Sequence, residues 1–271
     1  MGYDFINLKG AIVGKIYAVA NRKGGCSKTT TCGALASGIA RLGCKVLLVD
    51  MDPQGDSTDW TGFDPSDANT TYEVLMGRCT PEEAIVERKY YDLMPADNSL
   101  ASIEAELATT QGRELRLREA LSDVIDKYDF IVIDTPPQLG LLTIIAFAAV
   151  TGGVIVPTDS GKFATKGMRE LVETLDNTRK YHNPDARVVG ILITRFNPRY
   201  NAMKVMKKVT AEFAKYLDAP LYETFIRQSV VIMESQMENV DIFDVKRSNA
   251  AVEDYRNFVN EFVDKEGLYT N

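Results

Sequence analysis

The chain has 271 residues, of which 45% are hydrophobic, and its 31 basic and 38 acidic residues give a net charge of −7. This length and composition can bury a large core and suit one α/β domain. The charge excludes a generally basic surface for nucleic acid, but not a local basic face, because a polyanion needs only a patch. No apolar run approaches the roughly 20 residues of a membrane span and no signal-peptide pattern is present, so we expect a cytoplasmic protein.

Cysteine and histidine are too few and too scattered to indicate a metal site. The single histidine, His182, nearly excludes histidine-based catalytic triads and histidine metal sites. The four cysteines show no C-x-x-C pairing and are expected to be reduced thiols; they are Cys26, Cys32, Cys44 and Cys79.

The first predicted elements are an apolar strand over 16–20 and a helix to about Leu42, with a glycine turn between them. Gly24 and Gly25 lack Cβ, so the turn can adopt positive φ and direct backbone N–H groups at an anion. The positive end of the helix dipole adds to that attraction. This order of elements therefore predicts a phosphate-binding loop, the alternative being a turn that only packs.

The residues after the glycine pair indicate what the loop would hold. Lys28 is expected over the β- and γ-phosphates of a nucleotide, and the Thr29 hydroxyl is expected to hold Mg²⁺. The match to G-x-x-x-x-G-K-[ST] is incomplete, because Ser27 stands where the second glycine is expected. The predicted nucleotide contacts in the loop are Gly24, Gly25, Cys26, Ser27, Lys28, Thr29 and Thr30.

A second buried strand is predicted over 45–50, apolar and β-branched as in a parallel sheet. It delivers Asp50 and Asp52, in the run Asp-Met-Asp-Pro-Gln-Gly, to the carboxyl edge of the sheet, where ligands bind in open α/β folds. We therefore expect both carboxylates beside the phosphates, the alternative being a simple turn after the strand.

The middle of the chain, from residue 56, is less regular. Its pattern predicts two short helices, one strand and two longer helices. They lie near Tyr72–Met76, after Thr80-Pro81, at about Tyr90–Met94, at Ser99–Ala108 and at Arg113–Lys127.

The next strand, Tyr128–Asp134, runs through four apolar residues into an acid. In this arrangement Asp134 is expected to hold Mg²⁺ directly or through water. Many buried strands end in aspartate, so the signal gains weight only from the phosphate loop upstream and the Asp-Thr-Pro-Pro run that follows.

Three further strands are predicted at 153–157, 187–194 and 220–226, with a helix from 161 to about Tyr181. Strands alternating with helices predict right-handed crossovers and an α/β fold: a doubly wound, mostly parallel sheet with helices on both faces. No linker interrupts the pattern. Residues 1–271 are therefore predicted to form a single domain, in which 1–14 are an N-terminal extension and 265–271 a disordered tail.

The helix predicted at about 201–217 has two unlike faces. Its apolar residues gather on one side, and four lysines gather on the other. This basic ridge indicates a polyanion partner, whereas a solvated lysine face is the alternative. The lysines are Lys204, Lys207, Lys208 and Lys215.

Four motifs in this order resemble the deviant Walker A ATPases of the ParA/MinD type: K-G-G-x-S-K-T-T, D-x-D-P-Q-G, an apolar strand into D-T-P-P, and T-R-F-N-P-R. The mark of that family is an extra lysine before the glycine pair, here Lys23. The resemblance covers about 16–262. It looks like a ParA/Soj-type partition ATPase of the short class, a P-loop protein without an N-terminal helix-turn-helix.

The resemblance implies roles for individual residues. Lys23 would reach across a twofold axis into the site of a second subunit, so that ATP holds a homodimer together. Asp52 would orient the attacking water and join Thr29 and Asp134 near the Mg²⁺ ion. Asn197 would lie near the adenine. The implied DNA contacts are Arg199, Lys204, Lys207, Lys208 and Arg227.

The function this implies is a slow ATPase with ATP and Mg²⁺ as cofactors. It would bind DNA non-specifically on the nucleoid, partition plasmid or chromosomal DNA, and be stimulated by a ParB-like partner. One alternative is a MinD-like positioning ATPase acting on a membrane or a protein array, although the acidic terminal helix at 249–263 argues against a membrane. The others are a redox or metal-maturation protein that uses Cys26 and Cys32, and a scaffold whose hydrolysis is impaired by Ser27.

Overall fold

The computed structural model describes residues 14–159, 164–196, 211, 214–215 and 219–267. Within them, eight strands form one sheet in the order β3-β4-β2-β5-β1-β6-β7-β8. All neighbouring strands are parallel except β3 and β4, which are antiparallel at one edge. The strands are β1 (Lys15–Val19), β2 (Val46–Asp50), β3 (Val86–Glu87), β4 (Asp92–Met94), β5 (Phe130–Asp134), β6 (Gly153–Thr158), β7 (Val188–Phe196) and β8 (Leu221–Arg227).

Helices connect the strands, and short 3₁₀ turns occur at 98–102, 113–115, 125–127 and 242–244. The described helices are α1 (Lys28–Arg41), α2 (Asp56–Trp60), α3 (Thr71–Met76), α4 (Pro81–Ala84), α5 (Ile103–Glu106), α6 (Arg116–Ser122), α7 (Leu141–Ala149), α8 (Ala164–Tyr181), α9 (Val230–Met237) and α10 (Ala250–Lys265).

Each face of the sheet packs against its own hydrophobic core. Along β1, Ile16 and Ala18 belong to a core shared with α6, α7 and α8, whereas Tyr17 and Val19 belong to a core shared with α1 and α10. Successive strand residues point to opposite faces, so an all-apolar strand can serve both layers. The predicted doubly wound α/β fold with helices on both faces is therefore confirmed.

The order of strands determines where a ligand can bind. β1 lies between β5 and β6. The chain places β2 and β5 on one side of β1 and β6, β7 and β8 on the other, so the order of strands reverses at β1. Ligands of open α/β sheets bind at the carboxyl edge beside such a switch point. The strands β1, β2, β5 and β6 all end at that edge, and the loops that follow them begin there.

The sequence pattern missed helix α7. All of its residues except Ile144 are buried. A helix that is apolar on every side has no 3.6-residue periodicity to reveal it. The small antiparallel strand β3 and the helices α2 and α9 were also not predicted.

Both of the longer helices predicted in the middle of the chain are broken. The stretch 113–127 forms α6 flanked by two 3₁₀ turns, and 98–106 begins as a 3₁₀ turn before α5. Helix α6 ends at Ser122, whose hydroxyl donates a 2.5 Å hydrogen bond to the carbonyl of Glu119. Such side-chain bonds to the backbone compete with continuation of the helix.

The carboxyl-terminal helix α10 is docked on the sheet. Tyr255, Phe258 and Phe262 are buried in the core beside α1 and β8. At its end, Glu266 accepts a 2.6 Å hydrogen bond from the Tyr17 hydroxyl, so the start of the predicted tail is attached to the domain. Among the described residues, no helix combines the length and apolar composition needed to span a bilayer.

Candidate functional site

The turn between β1 and α1 forms a loop at the carboxyl edge of the sheet. Gly25 has a φ of 69°, in the left-handed region that favours glycine. Ser27 has the same φ of 69° directly before α1 begins at Lys28. A residue with a side chain is strained there by roughly 1–3 kcal/mol, and such strain is concentrated at functional sites. The departure from the usual loop motif at Ser27 is therefore also a strained point of the backbone.

A cleft of about 540 Å³ opens beside this loop. Its volume lies within the range of roughly 300–1,000 Å³ that small-molecule sites occupy. The side chain of Cys26 is buried beneath the loop and does not line the cleft. The other predicted loop contacts line the cleft together, namely Gly24, Gly25, Ser27, Lys28, Thr29 and Thr30.

Asp134, at the end of β5, is fully buried next to the loop. Its Oδ2 atom accepts a 2.7 Å hydrogen bond from the Ser57 hydroxyl, whereas its Oδ1 atom has no hydrogen-bond partner. Burial raises the pKa of this carboxyl to about 6, although Ser57, Lys28 and Thr29 favour the charged form. A buried carboxylate oxygen without a donor, beside a threonine hydroxyl, suits a hard cation such as Mg²⁺.

Asp50 is paired directly with Asp134 across the adjacent strands β2 and β5. Burial, together with the charge of Asp134, raises the pKa of Asp50 well above its ordinary value. Its Oδ2 atom accepts hydrogen bonds from the backbone N–H and the hydroxyl of Thr58, at 2.9 and 2.8 Å. Asp50 does not line the cleft, because its buried carboxyl instead fixes the start of α2.

Asp52 does line the cleft, together with Lys28 and Thr29. Its Oδ1 atom accepts a 3.1 Å hydrogen bond from the backbone N–H of Gln54. Burial raises the pKa of Asp52, while the Gln54 N–H and the nearby Lys28 ammonium oppose the rise. The carboxylate is thus held at the edge of the cleft and can accept a hydrogen bond from a ligand or a water.

Lys23 is turned away from the cleft of its own chain. Its Nζ atom donates to both carboxylate oxygens of Asp159, at 2.6 and 2.5 Å. Asp159 directly follows β6, on the opposite side of β1 from Asp134. The side chain of Lys23 is 33% exposed, so the ion pair is open to solvent on one side.

Arg227 lies at the end of β8, on the far wall of the cleft. Its Nε and Nη2 atoms donate to the carboxylate of Asp254 in α10, at 2.8 and 2.6 Å. The guanidinium is therefore engaged within the chain, and its contact with DNA stays a prediction. The other predicted contacts lie outside the described residues: Asn197 for the adenine, and Arg199, Lys204, Lys207 and Lys208 for DNA.

Sequence reasoning missed three residues of the site. Ser57 and Thr58 bind Asp134 and Asp50 from helix α2. The sequence feature that could have revealed them is the run Gly55-Asp-Ser-Thr, in which a glycine with left-handed backbone precedes a short helix. The third is Arg195, which lines the cleft and contacts the loop.

A strand, a glycine loop and a helix, with an aspartate at the end of the neighbouring strand, define a P-loop nucleotide-binding protein. Residues 14–188 match a family model described as an AAA domain. The chromosome partitioning protein ParA of Myxococcus xanthus is 36% identical over 87% of this chain and 84% of its own length. The sporulation initiation inhibitor protein Soj of Bacillus subtilis is 36% identical over 89% of this chain and 95% of its own length. The chain belongs to the ParA/Soj family of P-loop ATPases, as its motifs indicated.

A solved structure with the same fold contains a bound nucleotide analogue. Cobyrinic acid a,c-diamide synthase of Mycobacterium smegmatis, crystallised with an ATP analogue and magnesium, aligns with a TM-score of 0.80. It is 32% identical, and the alignment covers 92% of this chain and 93% of that one. The predicted ligands ATP and Mg²⁺ are of the kind bound in that neighbour.

Proposed function

We propose that this chain is an ATP-dependent partition ATPase of the ParA type. It binds Mg²⁺·ATP in the cleft, forms a homodimer, holds DNA non-specifically and hydrolyses ATP slowly until a ParB-like partner stimulates it. The observation that carries the proposal is that two lysines of the phosphate loop point in different directions. Lys28 faces the carboxylates of its own cleft, whereas Lys23 is directed out of it.

The residues of the cleft suit a magnesium nucleotide. The Thr29 hydroxyl and the unpaired Oδ1 atom of Asp134 would hold the ion, with Asp52 close by. Bound there, Mg²⁺ neutralises charge on the β- and γ-phosphates. Lys28 would add a positive charge on the γ-phosphate side, and Asp52 would orient the attacking water by accepting a hydrogen bond from it.

The position of Lys23 supports a role in a second subunit. The Lys23–Asp159 pair is partly exposed, and pairs of this kind contribute only about 0.2–1 kcal/mol. A triphosphate presented by a second copy is a far stronger anion and can draw the ammonium away from Asp159. The lysine would then offset charge in the transition state of the other subunit.

The lysine pattern at 204–208, which lies outside the described residues, supports binding to DNA. Dimerisation would join two such basic faces, and doubling the phosphate contacts steepens both affinity and salt dependence. A cytoplasmic protein held on the nucleoid follows from this proposal.

Two of the alternatives, a membrane-acting ATPase and a redox or metal-maturation protein, fit the structure less well. The apolar side of α10 is packed in the core through Phe258 and Phe262, so it is not available for insertion into lipid. Cys26 and Cys32 are both fully buried, and burial raises the pKa of Cys26 to about 11 and that of Cys32 well above its ordinary value. Thiols of this kind are inert rather than poised for redox or metal transfer.

Pelleting assays test the proposal. With a non-hydrolysable ATP analogue, we expect the protein to sediment with DNA at moderate salt and not with anionic vesicles. Replacing Lys204, Lys207 and Lys208 together by Glu is expected to abolish sedimentation with DNA without changing nucleotide affinity. Replacing the exposed Lys89, Lys127 and Lys180 by Glu makes the same change of charge at other positions of the chain and controls for it. Unchanged sedimentation of the first variant would contradict the DNA-binding role.

A further inference from the structure

The end of strand β7 is joined to the phosphate loop at two successive peptides. The Thr194 hydroxyl lies 3.0 Å from the carbonyl oxygen of Cys26. The next residue, Arg195, donates from Nη1 to the carbonyl oxygen of Gly25, also at 3.0 Å. Two neighbouring side chains of one strand thus bind two neighbouring carbonyls of the loop.

An unusual backbone conformation makes this double contact possible. Successive side chains of a regular strand point to opposite faces, so Thr194 and Arg195 would not both face the loop. Arg195 has a φ of 53°, in the left-handed region. For a residue with a side chain this costs roughly 1–3 kcal/mol and persists only where the surroundings enforce it.

Peptide geometry connects these contacts to nucleotide binding. The C=O and N–H groups of a trans peptide point in opposite directions. When Arg195 binds the carbonyl of Gly25 and Thr194 binds that of Cys26, the N–H groups of Cys26 and Ser27 are fixed on the other side. Such N–H groups form the cradle of a phosphate loop. Without these contacts Gly25 is free to adopt other conformations.

We propose that Arg195 is a positioning residue of the nucleotide site: it fixes the peptide between Gly25 and Cys26, so that the loop keeps its anion-binding shape before the nucleotide arrives. The inference rests on nucleotide binding at this loop as proposed above. It is independent of DNA and of any partner protein. It also explains how a loop with a strained Ser27 holds its conformation.

The test compares Arg195→Met, Arg195→Lys and the control Arg187→Met. Arg187 is exposed and precedes the opposite end of the same strand. The dissociation constants of ATP and ADP are measured by calorimetry with Mg²⁺, and thermal unfolding is followed without nucleotide. We expect Arg195→Met to weaken both nucleotides about tenfold, or about 1.4 kcal/mol. Arg195→Lys should keep most of the parental affinity, and Arg187→Met should not change it. The midpoint of thermal unfolding should be the same for the parent and the three variants.

Three results would overturn the inference. The first is parental affinity in Arg195→Met. The second is a loss confined to ATP that grows steeply at low salt, which indicates a direct phosphate contact instead of positioning. The third is a lower unfolding midpoint in both Arg195 variants that matches their loss of affinity, which indicates a general folding defect. Failure of the parent protein to bind either nucleotide would instead contradict the proposed function itself.

Discussion

The ammonium of Lys23 and the carboxylate of Asp159 form a two-oxygen ion pair across the amino-terminal end of the phosphate loop. The pair holds the lysine that distinguishes this family on the side of β1 remote from Asp134. A lysine that acts in a second subunit must first leave this carboxylate. The ion pair would therefore oppose the proposed dimerisation by the amount that it stabilises the single chain.

Removing the carboxylate of Asp159 should favour the ATP-bound dimer. Because a partly exposed pair contributes about 0.2–1 kcal/mol and each of the two subunits would break one, Asp159→Asn is expected to tighten dimerisation roughly two- to thirtyfold. Sedimentation equilibrium with a non-hydrolysable ATP analogue measures this constant. Asp176→Asn, on an exposed turn of α8, removes a charge from a surface ion pair and serves as the control. Weaker dimerisation in Asp159→Asn than in the control would show that Asp159 supports the dimer.

The pH dependence of Asp134 gives a second prediction. Its pKa is raised from 3.8 to about 6 in the folded chain without Mg²⁺, so the folded state binds this proton more tightly than the unfolded state does. Stability is therefore lost as pH rises from about 4 to about 6, by up to about 3 kcal/mol. Asp134→Asn removes this penalty. The difference in free energy of unfolding, variant minus parent, should therefore be more positive at pH 7.5 than at pH 5.

The same substitution should abolish the contribution of Mg²⁺ to nucleotide affinity, because the amide that replaces the carboxylate carries no charge for the ion. Titration calorimetry with and without Mg²⁺ measures that contribution. In the parent protein it should fall below pH 6, where Mg²⁺ competes with the proton on Asp134. Asp126→Asn, exposed and distant from the cleft, should behave as the parent at every pH. An undiminished effect of Mg²⁺ in Asp134→Asn would exclude this carboxylate as a ligand.

Relief of backbone strain at Ser27 is a third expectation. The residue has a φ of 69°, and its side chain makes no capping hydrogen bond to α1. Ser27→Gly should therefore raise the free energy of unfolding by about 0.5–1 kcal/mol, measured by urea denaturation. Ser122→Gly, at a right-handed helical position in α6, should be destabilising instead. A loss of stability in Ser27→Gly would mean that the serine side chain makes a favourable contact that outweighs the strain.

How much of the site could be predicted depended on how local each interaction is. The strands that end in Asp50 and Asp134 were evident, because an apolar run into an acid is a pattern of a few residues. The pairing of Lys23 with Asp159 was not, because 136 residues separate them. The contact between Asp50 and Thr58 was not predicted for a related reason, since the two residues meet only when α2 folds back over the end of the strand.

Elements that carry no periodic pattern were also missed. Helix α7 is buried on nearly every side, so its sequence reads as an apolar run without a face. Helix α9 has a mixed pattern, and its most exposed residues include Met233 and Met237. The contact between Arg195 and Gly25 depends on a left-handed backbone conformation at the end of a strand, and an arginine in the sequence does not predict that conformation.

The mass of the complex in solution tests most directly whether Lys23 acts in a second subunit. Light scattering after size exclusion, with Mg²⁺ and a non-hydrolysable ATP analogue, should give the parent protein about 60 kDa, twice the 30.1 kDa of one chain. Lys23→Ala should bind the analogue as tightly and elute at the mass of one chain. A Lys23→Ala protein that still forms the dimer with the analogue would contradict the role proposed for this lysine.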